Sequence, residues 1–298
     1  MKTEKIHHGV VIPMLTPFKQ DGGLDEAAAV KLVDHIIGNG GFPFILGTTG
    51  ESASMPFEMR IRLVKAISSH VAQRTMIYAG ISDNCMENSL LLANSFHDLG
   101  IETFVAHLPS YYPLTPDMMT AYYEKLAERC PGRIIIYNIK STTHMTIPVA
   151  VIEKLGQNAK FAGLKDSDRD LDRLQLLVQK FADRKDFSLF SGWTAQSAQT
   201  LLMGFDGIVP STGNLIPDKF KKMYDAVQSN HRELALHLQT EIDPVADLHQ
   251  SGMLGSEAII ALKVMMDEAG WCGPWILPPL SRLSIERENQ IRMGMKTF

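Results

Sequence analysis

One lysine ends an apolar run, where it could be either a surface residue or a reactive group. Residues 160–170 read KFAGLKDSDRD, in which Phe161, Ala162 and Leu164 suit a short buried strand and Lys165 precedes a polar segment. Lysine is seldom buried without a partner, so an exposed strand end is the default interpretation. In an apolar pocket, however, burial would favour the neutral amine, which can attack a ketone and form a Schiff base.

Two further polar motifs also follow apolar runs. The sequence GTTGES, residues 47–52, offers backbone N–H groups and the hydroxyls of Thr48 and Thr49, which suit a carboxylate or phosphate; a plain turn before a capped helix is the alternative. Tyr137 ends the run IIIY and could relay a proton or pack at a rim. Together with Lys165 these residues predict one mechanism. An imine would act as electron sink, the 47–52 loop would select 2-oxo acids, and the tyrosine would move protons without a metal.

Short apolar runs alternate along the chain with longer amphipathic stretches, which indicates repeated βα units. The candidate strands cover residues 9–15, 42–47, 75–80, 102–107, 133–138, 160–165, 187–192 and 206–211. The helical patterns between and after them cover residues 25–38, 57–72, 86–99, 115–129, 147–156, 169–183, 194–203 and 216–229. We therefore predict a (β/α)8 TIM barrel. An open doubly wound sheet is the alternative, which the lack of a G-x-G-x-x-G or Walker A sequence disfavours.

A barrel gives Lys165 a different environment from a surface strand. Active sites of such barrels lie at the carboxyl ends of the strands, and Lys165 ends the sixth candidate strand. Because side chains alternate along a strand, we expect Phe161, Gly163 and Lys165 on one face, with Gly163 leaving space beside the amine. If that face is the barrel interior, the lysine points into a closed mouth.

The strands stop after about residue 225, and the remaining sequence is helical. Patterns at 230–250, 255–268 and 280–293 predict three helices, interrupted by the Pro/Gly-rich segment GWCGPWILPP. We expect a catalytic barrel over residues 1–225 and a C-terminal helical region over residues 226–298.

Composition excludes several classes of function. The chain has 298 residues, 45% hydrophobic and 21% charged, with a net charge of -4, which gives no support for nucleic acid or an acidic membrane surface as partner. Neither a signal peptide nor a membrane-spanning run is predicted. The separate cysteines Cys85, Cys130 and Cys272 suit a reducing cytoplasm, and no Cys/His spacing predicts a metal site or another cofactor.

The motifs PMLTPF, GTTGES, YAGIS, LPSYYPL, YN, GLKDS and DGIVPSTGN, in this order, resemble the dihydrodipicolinate synthase/N-acetylneuraminate lyase family of class I, pyruvate-type aldolases. The resemblance covers nearly the whole chain and implies a (β/α)8 barrel with a C-terminal helical part, usually a tetramer. It implies that Lys165 forms the Schiff base and that Tyr137 transfers protons, with Thr48 and an interface tyrosine, best matched by Tyr112, as relay.

The resemblance also implies a substrate-binding set. Thr49 and the backbone around it, including Gly50, would hold the pyruvyl carboxylate, and Ile208 would line the pocket. Asp166 and Ser167 would contact substrate hydroxyls, although Asp166 could equally face the helical layer.

Two departures from well-known family members bear on the second substrate. Dihydrodipicolinate synthases usually carry a carboxylate-binding arginine in a pattern like Y-N-x-P-x-R, where this chain has Thr142, and Lys140 is a weak substitute. Sialic acid lyases usually carry acidic residues after strand seven, where this chain has Trp193 and Thr194. The similarity of GLKDS therefore favours a 2-keto-3-deoxy sugar acid or hydroxy-oxoglutarate aldolase.

Other functions within and outside this family stay open at this point. A dihydrodipicolinate synthase, an N-acetylneuraminate lyase, a dehydratase and a catalytically silent ligand-binding barrel are the alternatives. The expected partners are a 2-oxo acid and further copies of the chain, as a dimer of dimers.

Overall fold

The computed structural model describes residues 5–298, and its centre is a closed barrel of eight strands. Every strand pairs in parallel with its sequence neighbour, and the last strand pairs with the first, Gly207 opposite Gly9. The strands are β1 (Gly9–Pro13), β2 (Phe42–Ile45), β3 (Tyr78–Gly80), β4 (Thr103–His107), β5 (Arg133–Asn138), β6 (Phe161–Asp166), β7 (Ser188–Ser191) and β8 (Gly207–Ile208). The predicted TIM barrel is confirmed, and the open doubly wound sheet is wrong because the sheet closes.

Helices follow the strands and form the outer layer of the barrel. They are α1 (Glu26–Gly38), α2 (Phe57–Val71), α3 (Met86–His97), α4 (Pro116–Arg129), α5 (Lys140–Thr143), α6 (Val149–Leu155), α7 (Leu171–Phe181), α8 (Ser197–Met203) and α9 (Pro217–Gln228). Three longer helices complete the chain: α10 (Arg232–Gln250), α11 (Gly255–Glu268) and α12 (Ile285–Met295). The predicted boundary at residue 225 falls inside α9, and the division into two domains remains a prediction.

Alternation along the strands produces two separate hydrophobic layers. Side chains that point inward fill the barrel, and those that point outward pack beneath the helices. The inner layer contains Val11, Phe44, Tyr78, Val105, Ile135, Tyr137, Phe190 and Val209. Among residues 5–298, no helix has both the length and the apolar character that crossing a membrane requires.

Strand β6 breaks the simple alternation at one residue. Ile134 of β5 pairs with Phe161, but Ile135 pairs with Gly163, so one residue of β6 is left over as a β-bulge. Phe161 consequently points outward, where its ring lies 6.1 Å from the ring of Tyr123. The expectation that Phe161 shares a face with Lys165 is wrong, because the bulge lies between them.

Gly163 has a different purpose from the one expected. A Cβ atom on Gly163 would lie 2.4 Å from the carbonyl oxygen of Ser188, so glycine permits the close approach of β7 rather than leaving space for the lysine. The space beside the lysine comes from Gly192. A Cβ there would lie 2.1 Å from Ser167 Oγ and 3.3 Å from Lys165 Cε.

We predict that Gly163→Ala destabilises the barrel by at least about 1–3 kcal/mol, because a backbone oxygen of β7 must move to admit the methyl group. Thermal and urea denaturation measure this loss. The control is Gly38→Ala at the end of α1, where an added Cβ meets nothing within 4 Å. The control should be neutral or stabilising by up to about 1 kcal/mol. Equal stabilities of the two variants would contradict the close-approach explanation.

Candidate active site

Lys165 lies inside the barrel mouth without a charged partner. The residue is 6% exposed, and its Nζ lies 4.0 Å from the ring centroid of Tyr137 and 5.0 Å from that of Phe44. Within the described residues its amine makes no hydrogen bond or ion pair. An amine in this environment has lost most of its hydration and gains only weak contacts with the two rings.

A cavity of about 490 Å³ opens above this amine at the carboxyl ends of the strands. Its wall includes five of the predicted catalytic and substrate-binding residues: Thr48, Thr49, Tyr137, Lys165 and Ser167. These residues come from β5, β6 and the loops that follow β2 and β6. The barrel topology alone brings them together, because all parallel strands end at the same rim.

The loop after β2 presents open polar groups to the cavity. Gly50 N–H donates to Gly47 O at 3.1 Å and Glu51 N–H donates to Thr48 O at 3.1 Å, which folds the loop on itself. The backbone N–H groups and hydroxyls of Thr48 and Thr49 have no partner among residues 5–298. They are therefore available to a carboxylate, as expected for an anion-binding loop.

Gly50 itself supports the loop and does not line the cavity. Its carbonyl oxygen accepts a hydrogen bond from Thr16 Oγ1 at 2.6 Å, and a Cβ on Gly50 would lie 3.0 Å from the carbonyl oxygen of Met14. The expectation that Gly50 binds substrate is corrected: it allows the loop to pack against the end of β1.

Ile208 also lies away from the cavity. Its side chain is fully buried in the layer between the barrel and the helices, and the next residue, Val209, lines the cavity instead. The pocket-lining role expected for Ile208 is wrong by one residue, because a shift of one position along a strand reverses the face.

Asp166 faces the helical layer, the alternative that the sequence left open. Its fully buried carboxylate accepts hydrogen bonds from Arg173 Nε at 2.9 Å, Asn138 Nδ2 at 3.1 Å and the N–H of Asp168 at 3.0 Å. Burial raises the pKa of the Asp166 carboxyl to about 6, although the Arg173 guanidinium opposes the shift. The predicted contact with substrate hydroxyls is therefore wrong for Asp166, whereas Ser167 lies on the cavity wall.

Tyr112 is not part of the cavity within one chain. It is 69% exposed, and its ring packs edge to face against Tyr111, with centroids 4.9 Å apart. A catalytic contribution from this residue requires a second copy of the chain and stays a prediction.

Part of the cavity wall comes from residues that sequence reasoning missed. Gln250, at the end of α10, places Nε2 3.2 Å from Ser211 Oγ and 3.3 Å from the hydroxyl oxygen of Thr194. The neighbouring His249 is buried, and burial lowers the pKa of its imidazole to about 4, so it is neutral at pH 7. Arg169, after β6, is another missed residue on the wall. Arg169 belongs to the KFAGLKDSDRD stretch, so the sequence offered a signal for it. For His249 and Gln250 there was none, because nothing in the sequence connects the end of α10 with the strands.

A buried ion pair fixes the loop after β2 to the C-terminal helices. Lys263 Nζ of α11 lies 2.6 Å from Glu51 Oε1, both side chains are fully buried, and Glu51 Oε2 accepts the N–H of Leu277 at 3.0 Å. Lys263 Nζ also donates to the carbonyl oxygen of Trp275 at 2.5 Å. Burial lowers the pKa of the Lys263 amine, and the Glu51 carboxylate counteracts this shift. Glu51 thus positions the loop that carries Thr48 and Thr49.

A TIM barrel with a buried lysine, a tyrosine and an anion-binding loop at its carboxyl-terminal mouth has the architecture of an enzyme. Comparison with known proteins identifies which kind: the chain belongs to the dihydrodipicolinate synthetase family, whose model matches residues 7–297. The chain is therefore a lyase, and the predictions of family and enzyme class are confirmed.

Individual relatives resemble the chain over most of its length. The 4-hydroxy-tetrahydrodipicolinate synthase of Thioalkalivibrio sulfidiphilus is 28% identical over 289 residues, 97% of this chain and 96% of the relative. An uncharacterised DapA-like lyase of Thermofilum pendens is 30% identical, with 77% of each chain covered. The solved dihydrodipicolinate synthase of Bacteroides thetaiotaomicron superimposes with a TM-score of 0.93 at 26% identity, covering 99% of this chain and all of the other.

We predict that Lys263→Met destabilises the fold by about 3–5 kcal/mol, because it leaves the Glu51 carboxylate buried and unpaired. The double variant Glu51→Gln/Lys263→Met should lose less than the sum of the single losses, which chemical denaturation of all four proteins measures. The exposed i,i+4 pair of Lys222 and Asp218 is the control, since Lys222→Met should cost no more than about 0.5 kcal/mol. Strict additivity at Glu51 and Lys263 would show that the pair is not coupled.

Proposed function

We propose that this protein is a class I, Schiff-base aldolase that makes or cleaves a carbon–carbon bond to pyruvate through an enamine on Lys165. One observation carries the proposal: the Lys165 amine is buried at the barrel mouth, lies against Tyr137 and has no anionic partner in the described chain. A buried lysine kept only for stability would be expected to have such a partner.

The chemistry needs only groups that line the cavity. Neutral Lys165 Nζ attacks the keto carbon of a 2-oxo acid, and loss of water gives a protonated imine. In the cleavage direction, a base removes the proton of the C4 hydroxyl, the C3–C4 electron pair moves into the imine, and an aldehyde departs. The resulting enamine takes a proton at C3, and water then releases pyruvate and restores the amine. Synthesis follows the same steps in reverse.

Proton transfer is assigned to Tyr137, with Thr48 and Tyr112 as relay. The position of Tyr137 beside the amine supports this role, and the open N–H groups of Thr48 and Thr49 support binding of the pyruvyl carboxylate. No cofactor and no metal enter these steps.

The second substrate is proposed from the hydroxyl-bearing residues of the cavity wall. The cavity is lined by several residues that carry hydroxyls, together with one tryptophan: Ser141, Thr142, Ser167, Thr194 and Trp193. This wall favours a 2-keto-3-deoxy sugar acid or a hydroxy-oxoglutarate as the compound cleaved.

A second candidate is 4-hydroxy-tetrahydrodipicolinate synthase activity, favoured by the names of the curated relatives. Thr142 lines the cavity where an arginine would be needed, and the Lys140 side chain borders a neighbouring depression instead, so we rank this activity second. An assay of pyruvate release or consumption with both kinds of substrate separates the two candidates.

We further propose that the protein is a cytoplasmic homo-oligomer in which Tyr112 completes the site of a neighbouring copy. Tyr111, Tyr112 and Met118 are exposed within one short segment, which supports an interface there. The free cysteines Cys85, Cys130 and Cys272 support a reducing compartment.

We expect pyruvate with borohydride to add the mass of the reduced adduct to the peptide that carries Lys165. Peptide mass spectrometry locates the label, and Lys263 serves as an internal control because it is equally buried but paired with Glu51. An unlabelled protein, or a label confined to other lysines, would overturn the proposed mechanism.

Tyr112→Phe should slow turnover by about 10²–10⁴-fold, because the relay loses its hydroxyl, while imine formation with pyruvate persists. Tyr111→Phe is the matched control on the same loop and should retain turnover close to that of the parent protein. Light scattering at assay concentration should find an oligomer. A fully active monomer, or full activity of Tyr112→Phe, would exclude the shared site.

A further inference from the structure

The charged residues that line the catalytic cavity restrict the choice of second substrate. Two cationic side chains line it, Lys165 and Arg169, and no aspartate or glutamate of the described chain does so. Lys165 becomes part of the imine during the proposed reaction. Arg169, an exposed residue, is then the remaining cationic residue of the described chain on a wall otherwise made of hydroxyl, amide, imidazole and apolar groups.

Arg169 is presented by a loop that is anchored on both sides. Asp168 accepts hydrogen bonds from the N–H of Lys140 at 3.2 Å and from Thr146 Oγ1 at 2.8 Å. Asp170 caps α7 by accepting the N–H of Arg173 at 3.1 Å. Both flanking carboxylates are thus engaged with other groups, and Arg169 forms no ion pair within residues 5–298.

The other side of Arg169 is lined by carboxylates as well as by cations. A depression of about 570 Å³ adjoins the cavity across Arg169 and Trp193, and Asp168, Asp170 and Asp172 line it. Lys140 and Arg173 line this depression too, and Arg173 is paired with Asp166. Carboxylates thus stand close to any anion bound there, whereas no carboxylate of residues 5–298 lines the catalytic cavity. An anionic ligand of Arg169 is therefore favoured on the cavity side.

Arg169 and Lys165 also stand at a distance that suits two ends of one small molecule. They are four positions apart in the sequence, so their Cα atoms are no more than about 14 Å apart even in a fully extended chain. Both residues line the same cavity. A guanidinium offers a planar pair of N–H donors that matches a carboxylate.

We propose that Arg169 is a specificity-determining residue that binds a carboxylate at the distal end of the 2-oxo acid formed or cleaved on Lys165. The inference rests on the proposed Schiff-base function and narrows its substrate class to dicarboxylic 2-oxo acids. Arg169 would supply the positive charge from the loop after β6, because Thr142, in the segment after β5, has none.

The experiment compares imine formation by ligands that differ at the distal end. For the parent protein, the concentration that half-saturates the borohydride-trapped adduct is measured with pyruvate, 2-oxoglutarate, 2-oxoadipate and 2-oxohexanoate. 2-Oxohexanoate has an uncharged distal end. We expect the better of the two dicarboxylates to half-saturate at a concentration at least about tenfold lower than 2-oxohexanoate does, because a charge-assisted hydrogen bond changes affinity by about this factor.

Three variants assign that preference to a residue. For each variant we compare the half-saturating concentration of the dicarboxylate with that of 2-oxohexanoate, as a ratio within the same protein. Arg169→Gln should bring the ratio close to one, and Arg169→Lys should retain part of the preference. Lys140→Gln is the matched control, a cation that borders only the neighbouring depression, and should keep the parent ratio.

The outcomes separate this inference from the function on which it rests. A parent protein that forms no adduct with pyruvate overturns the Schiff-base function itself. A pyruvate adduct without a dicarboxylate preference, or a preference that survives Arg169→Gln, overturns the role of Arg169 alone.

Discussion

The rest of this site depends on one constraint: the amine of Lys165 is buried and has no anionic partner among residues 5–298. Lys165 could be stabilised most simply by a carboxylate, but that carboxylate would hold the amine in its protonated form. The barrel instead surrounds Nζ with the rings of Tyr137 and Phe44. The nearest carboxylate along the chain, Asp166, points to the opposite face of β6 and forms an ion pair with Arg173. Strand alternation thus separates the reactive amine from the acid next to it.

Rigid support for this arrangement comes from outside the barrel as well. The Glu51–Lys263 pair connects the loop of Thr48 and Thr49 with α11, so the C-terminal helices help to define the anion-binding loop. Buried ion pairs contribute little net stability compared with apolar packing, but breaking one is costly. Such a pair is therefore better suited to fixing a single loop position than to stabilising the fold as a whole.

How well each residue could be predicted depended on the range of the interactions that place it. The strand pattern and the barrel rim were sufficient for Lys165, Tyr137 and Thr48, because these depend on local alternation and on topology. Phe161 was assigned to the wrong face because a bulge is a property of strand pairing, which a single strand does not reveal. The positions of His249 and Gln250 depend on packing between distant segments, for which the sequence offers no periodic signal.

The two halves of the cavity are therefore built by different means. The half around Lys165 is defined by strand ends and by a loop fixed through a buried ion pair, so its geometry follows from the barrel. The opposite half is defined by Arg169 on the loop after β6, by Ser141 and Thr142 in α5, and by Gln250 of α10. Loops and short helices can change without disturbing strand pairing. Under the proposed function, a substitution on that side would therefore alter the second substrate while the amine and the tyrosine remain in place.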